Sequence, residues 1–160
     1  MTTIPKRLFF IWLGDQVPSY AQTSTSAFKK MNPDFDVVFL HYTVDQLKRI
    51  WEGDENDLIV KRALCRVLEE QDDYVKWQRD FYGTHLSFLQ LLSDVVRVEV
   101  LNHHGGIYLD LDTFPIAKFD DNLLLHEFIV VKRKSSGMQP FFDNFFLGKS
   151  KSDFQVQNPY

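Results

Sequence analysis

The segment from His103 to Thr113, which reads His-His-Gly-Gly-Ile-Tyr-Leu-Asp-Leu-Asp-Thr, constrains the fold of this chain most strongly. Its glycine pair turns the chain, and the apolar run from Ile107 to Leu109 predicts a short strand that enters a core. The carboxylates of Asp110 and Asp112 follow where that run ends. Because residues two apart on an extended backbone project to the same face, we expect the two carboxylates to point together and Leu111 to point away.

Two like charges side by side repel each other unless a positive charge lies between them. Mg²⁺ or Mn²⁺ would meet that need, because such ions are held by one or two carboxylates while water and substrate phosphates complete the shell. Ligands also bind at the carboxyl ends of strands in open α/β sheets. The alternative is a solvated turn, because Asp-x-Asp triplets are common by chance.

The helix predicted before this segment, from Thr84 or Ser87 to about Asn102, is apolar around most of its circumference, which indicates a buried helix. Its polar residues fall on one narrow stripe, namely Gln90, Ser93, Asp94 and Arg97. Asp94 and Arg97 are neighbours at i and i+3 and would form an intrahelical ion pair. The alternative is that a ribose hydroxyl binds Asp94 and a phosphate binds Arg97, which would supply the further partners that a buried pair needs.

Strands and helices alternate in the first third of the chain. The apolar run from Arg7 to Leu13 predicts a buried strand of a parallel sheet, and Phe35 to Leu40 predicts a second strand. Thr43 opens a helix, with Gln46 at the spacing of a capping box, and Gly53 ends it. This alternation predicts an α/β fold with parallel strands.

The remaining pattern predicts further helices and strands without a linker. Residues 58–82 predict one or two helices, 128–132 a strand, 135–137 a turn and 141–147 another strand. A chain of 160 residues without internal repeats predicts a single domain over residues 1–160.

Trp12 lies at the end of the first predicted strand, beside a glycine. It either packs in the core or provides an aromatic platform for a nucleobase, and its place at a strand's carboxyl end supports the second interpretation. His103 and His104 are adjacent, so their rings point apart, which is poor geometry for one metal ion. We expect them to cap the C-terminus of the preceding helix and assign them no site.

Composition and motifs exclude several classes of protein. The net charge of −4 argues against a nucleic-acid-binding protein. No apolar run approaches the roughly 20 residues that span a bilayer, and no secretory signal is visible. We therefore expect a cytoplasmic location, with a secreted effector as the alternative. Phe114 stands where aspartyl-phosphate phosphohydrolases place Thr or Val, and no glycine-rich phosphate loop or nucleophile elbow is present.

Three separated pieces together resemble sugar-nucleotide glycosyltransferases with a DxD motif. They are Ile4-Pro-Lys with Phe10-Ile-Trp-Leu-Gly14, then Ser93-Asp94-Val-Val-Arg97, and Gly105-Gly-Ile-Tyr-Leu-Asp-Leu-Asp112. The relatives are the bacterial capsular and yeast-type initiating glycosyltransferases, such as mannosyltransferases, and the catalytic domain of large clostridial toxins.

The resemblance implies an α/β, GT-A-like (Rossmann-like) fold with a mostly parallel sheet flanked by helices. It also implies a metal-dependent enzyme with Mn²⁺ or Mg²⁺ that moves a sugar from a nucleoside-diphosphate-sugar to an acceptor hydroxyl, with retention of configuration. A UDP-sugar is the favoured donor and GDP-mannose is the other. The acceptor would be a glycan, a lipid-linked glycan or a protein.

The resemblance also implies a role for each residue at a motif position. Trp12 would stack on the base, Asp94 would hold the nucleoside, Arg97 would contact the nucleoside or a phosphate, and Tyr108 would line the donor site.

The metal site would consist of Asp110 and Asp112, with Asp110 also touching the ribose. Asp110, Asp112 and Arg97 would be the catalytic residues, because the metal and the guanidinium stabilise the leaving diphosphate.

The relatives carry a further stretch that supplies acceptor contacts, and only Asn144 weakly matches an acceptor-side asparagine of theirs. Three interpretations stay open: a compact enzyme, the amino-terminal part of a longer and here C-terminally truncated protein, or a remnant that binds the donor without transferring the sugar. A plain α/β binding module without metal is a further alternative.

Overall fold

The computed structural model describes residues 3–69, 86–132 and 142–149. Its strands are β1 (Arg7–Leu13), β2 (Asp36–Tyr42), β3 (Gly106–Leu109), β4 (Phe128–Lys132) and β5 (Phe142–Lys149). Its α-helices are α1 (Ala21–Met31), α2 (Val44–Glu52), α3 (Leu58–Glu69) and α4 (Leu86–His104), and a 3₁₀ helix covers Asp121–Leu125.

The five strands form one sheet in the order β2-β1-β3-β5-β4. β2, β1 and β3 run parallel, while β5 is antiparallel to both β3 and β4. The predicted α/β fold with a mostly parallel sheet is therefore confirmed. Leu8 lies opposite Ile107 and Phe9 lies opposite Tyr108, so the carboxyl ends of β1 and β3 meet at one edge of the sheet.

Strand β1 is buried on both faces, as its continuous apolar run predicts, and it has the predicted bounds. Phe9, Ile11 and Leu13 enter the core beneath α2, α3 and α4, whereas Leu8 and Phe10 enter the core on the α1 side. A central strand covered on both faces needs apolar residues at every position rather than at alternate ones.

Helix α2 is capped as its sequence predicts. The Thr43 side chain accepts a hydrogen bond from the Gln46 N–H at 3.2 Å, and the Gln46 side chain accepts one from the Thr43 N–H at 2.9 Å. Gly53 ends the helix in the left-handed conformation. This reciprocal pair is the capping box inferred from the spacing of the two residues.

Helix α4 packs on α3 and on β1 through Phe88, Leu92 and Val96. The expectation of burial around nearly its whole circumference is wrong, because Leu91 and Val98 are 40% and 46% exposed. Within the described residues, α3 and the sheet cover two sides of α4 and no element covers the side with Leu91 and Val98, and a list of apolar residues does not show which side that is.

Glu99 of α4 is a buried acid that the polar stripe did not include, because it lies on the α3 side of the helix. Arg66 Nε of α3 lies 2.8 Å from Glu99 Oε1, but the oxygen accepts no hydrogen bond within the described residues. The contact is therefore an ion pair with poor hydrogen-bond geometry that links α3 to α4.

The later strands follow the prediction closely. β4 has the predicted bounds, and β5 begins one residue later and ends two residues later than predicted. The second part of the predicted 58–82 helical region and the 135–137 turn lie outside the described residues.

Gly106 begins β3 in a conformation that disfavours other residues. Its φ is +121°, and an added Cβ would lie 2.8 Å from the Arg7 carbonyl oxygen. We expect Gly106→Ala to lower the free energy of unfolding by about 2 kcal/mol or more, because it combines a strained φ with crowding against β1. Urea denaturation measures this loss.

Gly53→Ala is the matched control, because Gly53 also has a positive φ, of +93°, but no heavy atom lies within 4 Å of the added Cβ. An equal loss of stability in both variants would show that crowding against Arg7 contributes nothing.

Candidate functional site

The two aspartates of the DxD motif lie in a turn after β3 and not on the strand. β3 ends at Leu109, and the Thr113 N–H donates to the Asp110 carbonyl oxygen at 3.1 Å. The expectation of an extended Asp110–Asp112 pair is therefore wrong. The turn places Leu111 in the core on the α1 side, where it is 5% exposed, while Asp112 is exposed to solvent.

Asp110 is held through one of its two carboxylate oxygens. The Tyr108 hydroxyl donates to Asp110 Oδ1 at 2.6 Å, and Arg97 Nη1 donates to the same oxygen at 3.3 Å. Within the described residues, no hydrogen bond or ion pair reaches Asp110 Oδ2. Two side chains thus hold one oxygen of this carboxylate, whereas no described side chain holds the other.

Arg97 joins helix α4 to the end of β3. Its Nη2 lies 2.8 Å from Asp94 Oδ1, and its Nε donates to the Ser93 carbonyl oxygen at 3.3 Å. The guanidinium lies 4.3 Å from the centroid of the Tyr108 ring, in a cation–π contact. The intrahelical Asp94–Arg97 pair is therefore present, and it extends to Asp110 as a second carboxylate.

The predicted site residues on α4 and β3 thus form one network: Asp94, Arg97, Tyr108 and Asp110. Arg97 and Tyr108 are 7% and 2% exposed, so they form its buried part. The side chains of Asp94 and Asp110 are 47% and 35% exposed and form the part that faces outward. The roles of these residues toward a donor remain predictions.

The charges of the network favour a bound cation. The pKa of Asp110 is raised above its ordinary value, mainly by burial and also by the charges of Asp112 and Asp94. The Tyr108 hydrogen bond and the Arg97 charge act in the opposite direction and lower this pKa. Burial is also the main cause that raises the pKa of Tyr108, so its hydroxyl stays protonated and donates. In the part of the chain that the structure describes, the carboxylates of Asp94, Asp110 and the nearby Asp112 surround the Arg97 guanidinium, and a divalent cation would offset their mutual repulsion.

Asp110 and Asp112 fit a magnesium or manganese ion. No group of three or more His, Cys, Asp or Glu side chains that could hold a metal occurs within the described residues. Mg²⁺ is nevertheless bound through only one or two carboxylates when substrate phosphates and water complete its shell, and hard oxygen ligands also suit Mn²⁺. A bound ion would add positive charge beside a diphosphate.

Trp12 lies at the carboxyl end of β1, which is the same edge of the sheet as the Asp110 turn. It packs partly buried against the core that contains Leu109 and Leu111. Its Nε1 is buried and has no hydrogen-bond partner within the described residues. An unsatisfied indole N–H is unusual, and a bound ligand would be one source of an acceptor.

His103 and His104 are the last residues of α4, which ends two residues later than predicted, and their rings meet edge to face at 4.6 Å. The His104 ring also stacks on Phe9 with a centroid distance of 5.8 Å. These contacts agree with a packing role at the helix terminus.

No pattern in the sequence indicates the support that α1 provides to the turn. Ser24 is fully buried, and its hydroxyl donates to the Thr113 carbonyl oxygen at 2.7 Å. Asn32, at the end of the same helix, accepts from the Phe119 N–H at 2.9 Å. A polar residue so distant along the chain can be connected with the DxD turn only once the fold is known.

The family described as the glycosyltransferase sugar-binding region containing a DXD motif matches residues 18–129. The chain belongs to this family. The match contains Asp94, Arg97, Tyr108, Asp110 and Asp112, and it begins after Trp12.

A protein with a sequence similar to this chain is "Subversion of eukaryotic traffic protein A" of Legionella pneumophila. The two are 27% identical over 128 residues, which is 75% of this chain and 19% of that protein. The chain therefore spans about a fifth of this curated relative.

Two solved structures share its fold. PaToxG glycosyltransferase is 20% identical with a TM-score of 0.59, over 94% of this chain and 56% of that structure. The catalytic domain of alpha-toxin from Clostridium novyi is 13% identical with a TM-score of 0.53, over 93% and 55%. The predicted GT-A fold is confirmed, and the chain spans just over half of each domain.

Among the described helices, none is long and apolar enough to cross a bilayer.

Proposed function

We propose that this chain binds a nucleoside-diphosphate-sugar with Mn²⁺ or Mg²⁺ and transfers the sugar to an acceptor hydroxyl. The network of Asp94, Arg97, Tyr108 and Asp110 at the carboxyl end of β3, followed by the exposed Asp112, carries this proposal. Carboxyl ends of parallel strands are where open α/β sheets bind ligands. Family membership supports the reaction type.

Different residues of this chain would contact different parts of the donor. Trp12, at the end of β1, would offer a flat apolar surface to the base. Asp94, at the exposed end of the network, would accept a hydrogen bond from a hydroxyl of the nucleoside. Asp110 and Asp112 would hold the cation, whose positive charge, when bound, stabilises the diphosphate as the sugar–phosphate bond breaks.

The donor we favour is a UDP-sugar, with GDP-mannose as the other choice, and the transfer we propose retains the configuration of the sugar. Both choices rest on the motif resemblance to the capsular, initiating and toxin glycosyltransferases. The assignment to the capsular or mannosyltransferase branch is a proposal of the same kind. The acceptor, whether glycan, lipid-linked glycan or protein, would be recognised outside the Asp110 network.

The second candidate is a sugar-nucleotide-binding domain that does not transfer the sugar. It shares the proposed Asp110 network with the enzyme and differs from it only in turnover.

A thermal-shift series with UDP-glucose, UDP-galactose, UDP-N-acetylglucosamine and GDP-mannose, each with and without Mn²⁺, tests the proposal. We expect Mn²⁺-dependent stabilisation by one donor, which reaches about 2.7 kcal/mol when the ligand is present at one hundred times its Kd. Release of UDP or GDP into solution then measures donor hydrolysis. Binding with hydrolysis supports the enzyme, binding alone supports the second candidate, and no Mn²⁺-dependent binding contradicts both.

A further inference from the structure

We propose that Tyr108 is a positioning residue that, with Arg97, fixes the Asp110 carboxylate so that only Oδ2 can bind the cation. This inference rests on the proposed function and concerns how the metal site selects its ion. It follows from one geometric fact, which is that both side chains donate to Oδ1 and neither donates to Oδ2.

A free aspartate side chain does not distinguish its two oxygens, because rotation about its last torsion is broad and roughly two-fold. The Tyr108 bond removes this equivalence. At 2.6 Å it is a short O–H···O⁻ bond of the charge-assisted kind, which is about twice as strong as a bond between neutral groups. Arg97 Nη1 reinforces the same choice at 3.3 Å from a second direction.

Tyr108 is suited to this role because its own side chain is fixed. It is 2% exposed, its backbone pairs with Phe9 of β1, and the Arg97 guanidinium covers its ring at 4.3 Å. Its hydroxyl therefore reaches Asp110 from a fixed point in the core.

The consequence concerns the choice of metal. Ca²⁺ takes six to eight oxygen ligands and often uses both oxygens of a carboxylate, whereas Mg²⁺ requires octahedral geometry with shorter bonds. An Asp110 that offers one oxygen suits the smaller octahedral ions and penalises Ca²⁺. Tyr108 would thereby set both the affinity for Mn²⁺ and the discrimination against Ca²⁺ while touching neither ion.

The test replaces Tyr108 with Phe, which keeps the ring beneath Arg97 and deletes only the hydroxyl. Binding of Mn²⁺ in the presence of UDP is followed by electron paramagnetic resonance, and Ca²⁺ is then added as a competitor. We expect Mn²⁺ affinity to fall about 10- to 100-fold, the loss typical when a hydrogen-bond partner of a metal ligand is removed. We also expect Ca²⁺ to displace Mn²⁺ at a lower Ca²⁺-to-Mn²⁺ ratio than in the wild type.

Tyr42→Phe is the matched control. The Tyr42 hydroxyl donates to Asp57 Oδ2 at 2.7 Å, so the variant loses a tyrosine–aspartate bond of nearly the same length between β2 and the start of α3. Thermal unfolding of both variants measures the structural cost of such a loss. Tyr42→Phe should leave Mn²⁺ affinity and Ca²⁺ competition unchanged.

A double-mutant cycle with Asp110→Asn shows whether Tyr108 acts through Asp110. If it does, Tyr108→Phe weakens Mn²⁺ binding in the wild type and adds little in the Asp110→Asn background. Equal losses in both backgrounds, or wild-type Mn²⁺ and Ca²⁺ behaviour in Tyr108→Phe, would overturn the inference and leave the proposed function standing. A wild-type protein that binds no Mn²⁺ with either UDP or GDP would instead contradict the proposed function, and the inference with it.

Discussion

Asp112→Asn is expected to abolish Mn²⁺-dependent binding of the donor and to lower donor hydrolysis by at least about 100-fold. Asp112 is one of only two carboxylates at the proposed metal site, and the amide that replaces it carries no charge. The fold should be unaffected, because Asp112 is exposed and exposed substitutions usually change stability by no more than about 0.5 kcal/mol. Calorimetric titration of UDP with and without Mn²⁺, and release of UDP, measure the two effects.

Asp36→Asn is the control for this variant. Asp36 is an exposed aspartate at the start of β2, so it lies at the opposite end of the sheet from the Asp110 turn. The Asp36→Asn variant should bind the donor as the wild type does. Unchanged Mn²⁺-dependent binding in Asp112→Asn would show that the metal assignment is wrong, whatever the donor proves to be.

Arg97→Met is expected to have the second large effect, because within the described residues it removes the cation that lies among the carboxylates of Asp94, Asp110 and Asp112. Removing one partner of a buried ion pair costs about 3–5 kcal/mol, and the partial exposure of Asp94 and Asp110 reduces our expectation to about 2–3 kcal/mol. Asp110 would also lose one of its two restraints, so Mn²⁺-dependent donor binding should weaken. Urea denaturation and titration of UDP with Mn²⁺ measure the two losses separately.

Two further variants separate charge from geometry. Arg97→Lys keeps the positive charge but cannot reach two carboxylates with a planar fork, so it should recover part of the stability and less of the binding. Arg7→Met removes an arginine from the exposed pair with Asp36 and should cost no more than about 1 kcal/mol. If Arg97→Met were no less stable than Arg7→Met, the buried network would contribute nothing to the fold.

Local pattern predicted much of the fold because several elements carry their own boundaries in sequence. β1 is a continuous apolar run that ends at a glycine, and its bounds were predicted to the residue. The Thr43–Gln46 capping box fixed the start of α2, and Gly53 fixed its end. These signals involve residues within four positions of one another, so no tertiary contact is needed to interpret them.

The sequence predicted which residues come together in the candidate site, but it did not predict the backbone geometry that holds them. Motif positions indicated Asp94, Arg97, Tyr108 and Asp110, and the structure brings these four together. The extended Asp110–Asp112 pair was wrong because β3 ends at Leu109 and a turn closed by the Thr113 N–H and the Asp110 carbonyl oxygen follows. Leu111 still enters the core on the α1 side, as Leu109 does, so the apolar periodicity continues past the end of the strand and does not show where the strand ends.

Other features lay beyond sequence reasoning because they arise between elements distant along the chain. Glu99 is buried because α3 places Arg66 beside it, and the turn is held partly by Ser24 of α1. Leu91 and Val98 are exposed because no described element covers that side of α4. In each case the neighbour determines the environment of the residue.

The pairing of β3 has a consequence for the order in which the chain folds. Ile107 pairs with residue 8 on one side and with residue 148 on the other, so this four-residue strand depends on two pairings of high contact order. Such pairings form slowly, because the entropy of closing long loops opposes them. During synthesis β3 leaves the ribosome before β5 exists, and its edge then lacks a partner. We therefore expect the Asp110 turn to be among the last parts of the molecule to reach its final geometry.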